Sequence, residues 1–424
     1  MDQIIVVMAS TATLAVALFG IAFILTQKVY SRVNRSFAVF LVVVAVNTFP
    51  DAFALILEKF PTVYIQALEL VMWMPSSLFL APLFWIYVYT LTSPVQRGPD
   101  HLLMHLLLPV LAIFLGLIML LFPQETWAPL FSNAPLPSLV WPKAIVTITA
   151  LLQFLLYPQI AIYLLLIVRR LIHFRLMLRD VYSSTEKHEL RWIYVIGGLG
   201  LLFWLARALV LVISFDFEQK DMVFMFVNVT SIAGLVLIAT LTLWGLRQRP
   251  PLEPNTEVAQ TRGGVNDQAS ELPSEKYEKS ALSAAASTRI SRKLHAAMER
   301  DKMHRDPNLT LWSLARYIGA SPNHVSQTLN EVIGKSFFDF VNGYRVSEAI
   351  GLLSMTNNTI LNITYDVGFN ARSTFYKSFK RITGQTPTNY RKSMSPSVGQ
   401  GRLVSNSTIF DADGVTTPEK PFGL

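Results

Sequence analysis

The chain contains no cysteine, which excludes disulfide bonds, thiol catalysis, cysteine-bound metals and cysteine-based redox sensing. Charged residues are also scarce, at 15% of 424 residues, whereas ordinary soluble proteins carry about 25%. Hydrophobic residues make up 52% of the sequence, and the mean hydropathy is +0.41. Much of this chain is therefore poorly suited to solvation by water.

Catalytic signatures are also missing. The sequence has no H-E-x-x-H zinc pattern, no Walker phosphate loop and no G-x-S-x-G nucleophile elbow. His101 and His105 are four residues apart, a spacing that can hold a metal on a helix, but no third histidine or carboxylate ladder accompanies them. A pair of interfacial histidines at the start of a membrane span explains them better. We therefore expect no enzymatic activity, no catalytic residue, no bound metal and no cofactor.

Seven long apolar segments occupy the first 250 residues. A helix needs about 20 mostly apolar residues to cross a bilayer, and the segments that qualify are residues 4–26, 36–57, 67–92, 103–122, 144–168, 193–215 and 223–244. The first segment lacks a positively charged start and is too long for the apolar core of a cleaved signal. Residues 1–248 are thus predicted to form a seven-pass transmembrane sensor domain.

The charges between these segments predict an orientation. The loops after the first, third and fifth segments, together with the exit after the seventh, carry 12 Lys and Arg, and the remaining loops carry 3. Because positively charged loops stay in the cytoplasm, the N-terminus is predicted to lie outside and the C-terminus inside. The expected location is the inner membrane of a bacterium.

Four polar residues of the predicted spans lie about 15 residues from the cytosolic ends of their helices, and therefore at one depth: Asp51, Gln153, Arg207 and Asn228. Ionisable groups within a span are costly and often functional. We expect Asp51 and Arg207 to pair in a pocket open to the outside, with Glu69 as a second partner for Arg207. Two interpretations remain open, a ligand or signal site and a structural ion pair that locks the helices together.

The composition changes abruptly at residues 249–287, where Pro, Gly, Ser, Glu and Gln replace large apolar residues, as is typical of a flexible linker. A polar tail is predicted to be disordered at residues 394–424. Between them, residues 288–393 carry 15 Lys and Arg against 7 Asp and Glu, a surplus equal to the net charge of +8 for the whole chain. A basic domain of this kind fits a nucleic-acid partner.

Within this basic domain, residues 360–391 have the pattern of two helices separated by a glycine turn. The first helix has an apolar side, formed by Ile360, Ile363 and Val367. Gly368 follows where the turn requires a positive φ, and Asn370 is the expected N-cap of the second helix. The second helix buries Phe375 and Phe379 and has a basic, hydrogen-bonding outer face. A helix of this kind suits the major groove of DNA.

An earlier helix–turn–helix pattern spans residues 309–333. The predicted helix at residues 309–318 ends at Gly319, and Ser321-Pro322 is a well-formed start for the helix that follows. A longer helix at residues 336–354 then joins this pattern to the second one.

The whole of residues 288–393 resembles an AraC-type DNA-binding domain, in which a connecting helix joins two helix–turn–helix units. The resemblance is carried by Leu314-Ala315, Ser321-Pro322, the run Phe338, Asn342, Arg345 and Ala349, then Gly368-Phe369 and the closing Pro387, Tyr390 and Arg391. Thr364 departs from the usual alanine, and Leu329-Asn330 stands where Phe-Lys is typical. Because the first reading helix is nearly neutral, it is expected to bind DNA weakly.

The resemblance implies base-facing residues in both reading helices: Asn323, His324 and Gln327 in the first, and Ser373, Thr374 and Lys377 in the second. Arg372, Lys380 and Arg381 are expected nearer the phosphates. Asn and Gln suit adenine edges, and Lys suits guanine or phosphate.

The fold class predicted is all-α, a seven-helix transmembrane bundle followed by a small all-α domain with two helix–turn–helix motifs. The implied function is a membrane-embedded, one-component transcription regulator controlled by a signal at the bundle. The expected partners are double-stranded DNA, the lipid bilayer, an unknown signal or small ligand, and a second copy of the chain in a homodimer. The alternative is a multi-pass receptor or transporter whose cytosolic helical domain recruits proteins.

Overall fold

The structure is a computed structural model that describes residues 2–27, 31–57, 59, 63–93, 99, 101–121, 140–185, 190–213, 220–247 and 283–394. Every element within these ranges is helical, apart from an isolated antiparallel bridge between Tyr182 and Thr310. The chain divides into two compact units, with the boundary between Tyr344 and Arg345. The all-α prediction is confirmed.

Within the described residues before position 250 there are eight helices, α1 (Asp2–Thr26), α2 (Ser31–Ala52), α3 (Ala54–Leu57), α4 (Val63–Leu91), α5 (Leu102–Leu121), α6 (Val140–Arg179), α7 (Arg191–Ile213) and α8 (Lys220–Arg247). Six of them, α1, α2, α4, α6, α7 and α8, are long and apolar enough to cross a membrane. The predicted fourth span corresponds to α5, whose described apolar stretch, Leu102–Ile118, is shorter. The count of seven spans stays a prediction.

Helix α6 is longer than the sequence predicts. Its 40 residues continue past the expected end at residue 168, so that Arg169, Arg170, Arg175 and Arg179 lie on the helix and not in a loop. Buried apolar side chains on one face, Leu171, Phe174 and Leu178, account for the extension. The guanidinium of Arg170 donates to Oγ1 of Thr92 at 2.8 Å and to the Thr92 carbonyl at 3.2 Å, just beyond the end of α4. The prediction of a loop directly after residue 168 was therefore wrong.

Close packing holds these helices together. Helix α1 packs against α2 and α8, and α2 packs against α4. At one point, the close approach of α8 to α2 requires a glycine. A Cβ at Gly245 of α8 would lie 2.5 Å from the ring of Phe37 on α2. One apolar cluster that includes Phe37, Tyr87 and Phe174 joins α2, α4 and α6.

Seven further helices form the C-terminal region, α9 (Ala284–Glu299), α10 (Leu311–Ile318), α11 (Pro322–Gln327), α12 (Phe337–Met355), α13 (Ile360–Asp366), α14 (Arg372–Thr383) and α15 (Pro387–Met394). A π-helical turn, Thr328–Ile333, continues α11. Helix α9 begins within the residues predicted as linker, because Ser283 caps it by accepting the backbone N–H of Ala286. The other residues of the predicted linker and the predicted tail, apart from Met394, lie outside the described part of the chain.

Candidate DNA-binding surfaces and a cavity in the helix bundle

The first helix–turn–helix is α10 followed by α11. Gly319 ends α10 with φ of +67°, a conformation that costs glycine little, and Ser321 caps α11 by accepting the backbone N–H of His324 at 3.2 Å. This confirms the helix start predicted at Ser321-Pro322. Leu314 and Val325 are buried between the two helices, and this packing fixes how α11 is presented.

The three residues predicted to face bases in this unit lie on α11 with unequal exposure. Asn323 is exposed in the first turn, whereas His324 and Gln327 are half-buried. The side-chain amide of Gln327 donates to Oε2 of Glu331 at 2.9 Å. That bond holds a carboxylate, which would repel DNA phosphates, beside α11. The weak DNA binding expected of this helix stays a prediction.

The second helix–turn–helix is α13 followed by α14. Gly368 has φ of +95°, as the turn was predicted to require, and Phe369, Phe375 and Phe379 are buried in one apolar cluster. Ala371, not Asn370, occupies the N-cap of α14, and its side chain makes no capping bond. The predicted cap was wrong by one position because the turn uses an additional residue before the helix begins.

The outer face of α14 carries the predicted DNA-facing residues. Arg372, Ser373, Lys377, Lys380 and Arg381 are exposed, and Thr374 is half-buried. Since Phe375 and Phe379 are buried on the opposite side, this helix presents a basic surface to solvent.

Arg372 is oriented by Tyr376, one turn further along α14. Its guanidinium donates to the Tyr376 hydroxyl at 3.0 Å and lies 4.9 Å from the centroid of that ring. The hydroxyl also lies 3.2 Å from Oγ1 of Thr388 on α15. Partial burial raises the pKa of Tyr376, but the hydrogen bonds from Thr388 and Arg372 and the guanidinium charge outweigh it, and the pKa lies below its usual value.

Two residues of the motif run prove to be fully buried. Arg345 is 0% exposed, and its guanidinium lies 5.4 Å from the centroid of the Phe369 ring. Asn342 is also 0% exposed and donates to the carbonyl of Ser183 at 3.2 Å. Both residues belong to the motif on which the family resemblance was based, but the motif does not indicate that their side chains are buried.

A cavity of about 460 Å³ lies within the helix bundle, lined mainly by apolar side chains and by a few polar ones. Asp51, Gln153 and Arg207 line it, so three of the five predicted pocket residues come together. No ion pair within 4.0 Å joins Asp51 to Arg207 in this described region, so the direct pairing that was expected is not formed. Asn228 is not among the lining residues, and the side chain of Glu69 lies outside the described part of the chain.

The sequence did not single out several further groups of this cavity. Asn47 lines it and donates to the hydroxyls of Ser76 and Ser77 at 2.9 and 2.8 Å. Trp204, one turn before Arg207, also lines it, and its indole N–H is buried with no hydrogen-bond partner in the described structure. A buried donor of this kind is costly, and it would be satisfied by an acceptor that entered the cavity.

His105 has an aromatic environment. Its Nδ1 lies 2.9 Å from the hydroxyl of Tyr163, and its ring lies 4.3 Å from that of Trp85. These contacts pack His105 against α4 and α6, and the interpretation of it as a histidine at the membrane interface stays a prediction.

Comparison with known proteins places the C-terminal region in a known class. Residues 314–393 match the family described as Helix-turn-helix domain. An uncharacterized HTH-type transcriptional regulator of Staphylococcus aureus (strain COL) is 36% identical over 90 residues, which are 21% of this chain and 12% of that protein. The uncharacterized HTH-type transcriptional regulator YtdP of Bacillus subtilis (strain 168) is 32% identical over 87 residues, 20% of this chain and 11% of that protein. The chain thus spans about an eighth of the length of these curated relatives.

Two solved structures are also similar to this region. The C-terminal domain of AraT, a response regulator from Geobacillus stearothermophilus, is 26% identical, with a TM-score of 0.24, and the match covers 29% of this chain and 98% of that one. The C-terminal domain of the two-component response regulator yesN from Fusobacterium nucleatum is 25% identical, with a TM-score of 0.22, and the match covers 26% and 99%.

The C-terminal region is therefore a helix–turn–helix domain of the class found in DNA-binding transcription regulators. Its turn glycines and its buried aromatic cluster agree with the resemblance to AraC-type domains drawn from the sequence.

Proposed function

We propose that this protein is a membrane-embedded transcription regulator that binds double-stranded DNA through α11 and α14 and responds to a signal received by its helix bundle. The observation that carries the DNA-binding part is the exposed basic face of α14 above a buried aromatic side. The base-facing residues are Asn323, His324, Gln327, Ser373, Thr374 and Lys377, and Arg372, Lys380 and Arg381 contact phosphates.

The membrane part of the proposal is supported by six helices long and apolar enough to span a bilayer. The bundle lies in a bacterial inner membrane with the N-terminus outside, so that the DNA-binding domain is in the cytoplasm. A homodimer brings two such domains to adjacent half-sites and raises their effective concentration on DNA.

The sensory part is supported by the cavity. Arg207 and Asp51 face it without forming an ion pair, and the indole N–H of Trp204 has no acceptor in the described structure. A small ligand with acceptor groups would satisfy the Arg207 guanidinium and the Trp204 indole N–H, and its entry would change how α2, α6 and α7 pack.

DNA binding can be tested with the full chain in lipid nanodiscs, incubated with fragments of the source genome. Specific fragments should be enriched, and the logarithm of the affinity should fall steeply with the logarithm of the salt concentration, because phosphate contacts release counterions. If no fragment is enriched above empty nanodiscs even at low salt, the alternative of a receptor or transporter that recruits proteins is favoured.

The sensory role can be tested with a reporter driven by an enriched promoter. Output in the wild type should differ between growth media, and Arg207→Ala should abolish that difference while the protein still inserts in the membrane. An unchanged response in an inserted variant would reject the cavity as the signal site.

A further inference from the structure

The residues that follow the C-terminal end of α6 contact the first helix–turn–helix unit through their backbone. Val181 accepts the N–H of Leu311 at 2.8 Å, and the N–H of Ser183 donates to the carbonyl of Leu309 at 3.3 Å. These bonds flank the antiparallel bridge between Tyr182 and Thr310. A short strand-like pairing thus joins residues far apart in sequence.

Side chains reinforce this pairing. One guanidinium nitrogen of Arg179 donates to both carboxylate oxygens of Asp339 at 2.9 Å, and both side chains are about two-thirds buried. The hydroxyl of Ser183 donates to the carbonyl of Leu309 at 2.7 Å, and Asn342 donates to the carbonyl of Ser183. Ser183 and Asn342 are both 0% exposed, so these bonds are shielded from water.

An apolar contact completes the arrangement. The ring of Trp312 meets the edge of Tyr182 with centroids 5.9 Å apart. Trp312 also packs against the apolar cluster of the helix bundle, whose members include Phe174 and Leu178. The start of α10 is therefore continuous with the core of the bundle.

The contact leaves the first reading helix uncovered. It uses the residues just before α10, the first turn of α10 and the first two turns of α12, and Asn323 at the start of α11 remains exposed. A contact of this kind orients the reading helix without blocking it.

We propose that residues 179–185, the docking segment, bind the first helix–turn–helix unit of the same chain and pass the state of the bundle to the DNA-binding domain. This inference rests on the proposed function, and it assigns the transmission of the signal to the end of α6. A change in the position of α6 moves the start of α10 directly, and the chain connection through residues 248–282 is not needed for that movement.

The cysteine-free chain permits a direct test by disulfide formation. In an antiparallel pair of this kind, the facing Cα atoms are about 4.5 Å apart, which falls within the range for a disulfide. Full-length protein with Tyr182→Cys and Thr310→Cys, held in native membranes, should form an intramolecular disulfide under mild oxidation. Arg175→Cys with Thr310→Cys is the matched control and should not. Absence of the 182–310 bond, or a bond that appears only as a covalent dimer, would overturn the same-chain contact.

A second comparison, of disulfide formation rates, tests the contribution of the Arg179–Asp339 ion pair to docking. Arg179→Ala should slow the 182–310 disulfide by about two- to five-fold, as expected for loss of a partly screened ion pair. Arg169→Ala removes the same charge from the exposed side of α6 and should leave the rate unchanged. Equal rates in the two variants would contradict the role of the pair.

The reporter assay then tests the coupling itself. Arg179→Ala should change promoter output at equal protein abundance, whereas Arg169→Ala should not. Identical output from both variants and the wild type would overturn the coupling. Failure of the chain to bind any DNA would instead reject the proposed function, and the disulfide results would stand independently of it.

Discussion

At the scale of single residues, Lys377 is the residue of α14 whose role can be isolated best. It lies on the exposed face between the buried Phe375 and Phe379, so its removal should not disturb the core. Lys377→Ala should weaken DNA binding by about 1–3 kcal/mol if the ammonium contacts a base, or reduce the salt slope by about 1 if it contacts phosphate. Titration of full-length variants with an enriched DNA fragment at several salt concentrations distinguishes these results.

Lys392→Ala is the control for this prediction. Lys392 is also exposed, but it lies on α15, outside the reading helix, and its loss changes the net charge equally. Equal weakening by both variants would show that α14 contributes only non-specific charge.

Asp180, in the docking segment, makes a pH-dependent contribution. Partial burial raises the pKa of its carboxyl above 3.8, the neighbouring Arg179 lowers it, and Asp339 raises it further, for a net upward shift. A carboxyl with a raised pKa stabilises the fold below its unfolded pKa and loses that contribution as the pH rises through its folded pKa. At neutral pH the ionised group is therefore less favourable to the folded state than the protonated group would be.

Asp180→Asn should accordingly raise the thermal unfolding midpoint of the protein in nanodiscs at pH 7. It should also reduce the fall in that midpoint as the pH increases above 3.8. Intrinsic tryptophan fluorescence is a suitable measurement. A variant that is less stable than the wild type at pH 7 would contradict this account.

At the scale of helices, Gly245 tests how closely α8 and α2 pack. A side chain there would enter the ring of Phe37, whereas a Cβ at Gly198 of α7 would meet nothing within 4 Å. Gly245→Val should destabilise the bundle by at least about 1–3 kcal/mol, the usual cost of overpacking. Gly198→Val should have a much smaller effect on the unfolding midpoint in the same detergent or nanodisc, and comparable losses would argue against this packing.

Helix types and cores were predictable at this scale because they follow from periodicity and from local turn chemistry. The helix start at Ser321 and the turn at Gly368 were both predicted correctly. Helix ends were less predictable, because tertiary burial decides them. Helix α6 continues to Arg179 because Phe174 and Leu178 are buried by residues distant in sequence.

The candidate sites were predictable only in part, for a similar reason. Asp51, Gln153 and Arg207 were predicted to lie at one depth from the helical rise alone, and all three line the same cavity. The contact between Arg179 and Asp339 could not be found in this way, because it joins residues 160 positions apart. Nothing in the local pattern of either residue indicates the other.

At the scale of the whole molecule, the proposed function requires one orientation in the membrane. DNA is in the cytoplasm, so Met394, at the end of α15, must lie on that side, and Lys59, between the second and third predicted spans, must lie outside. Both positions are exposed, and the native chain contains no cysteine to interfere with labelling. Lys59→Cys should react with a membrane-impermeant maleimide in intact spheroplasts, and Met394→Cys should react only after the membrane is opened.

The two labelling sites serve as controls for each other, because an intact membrane must protect one and leave the other accessible. The 12 positively charged residues on the predicted inner side, against 3 on the outer side, supply the physical reason for this orientation. Labelling of Met394→Cys in intact spheroplasts would place the basic face of α14 away from DNA. Its charge would then have to serve another anionic partner, and α14 could not function as a reader of promoters.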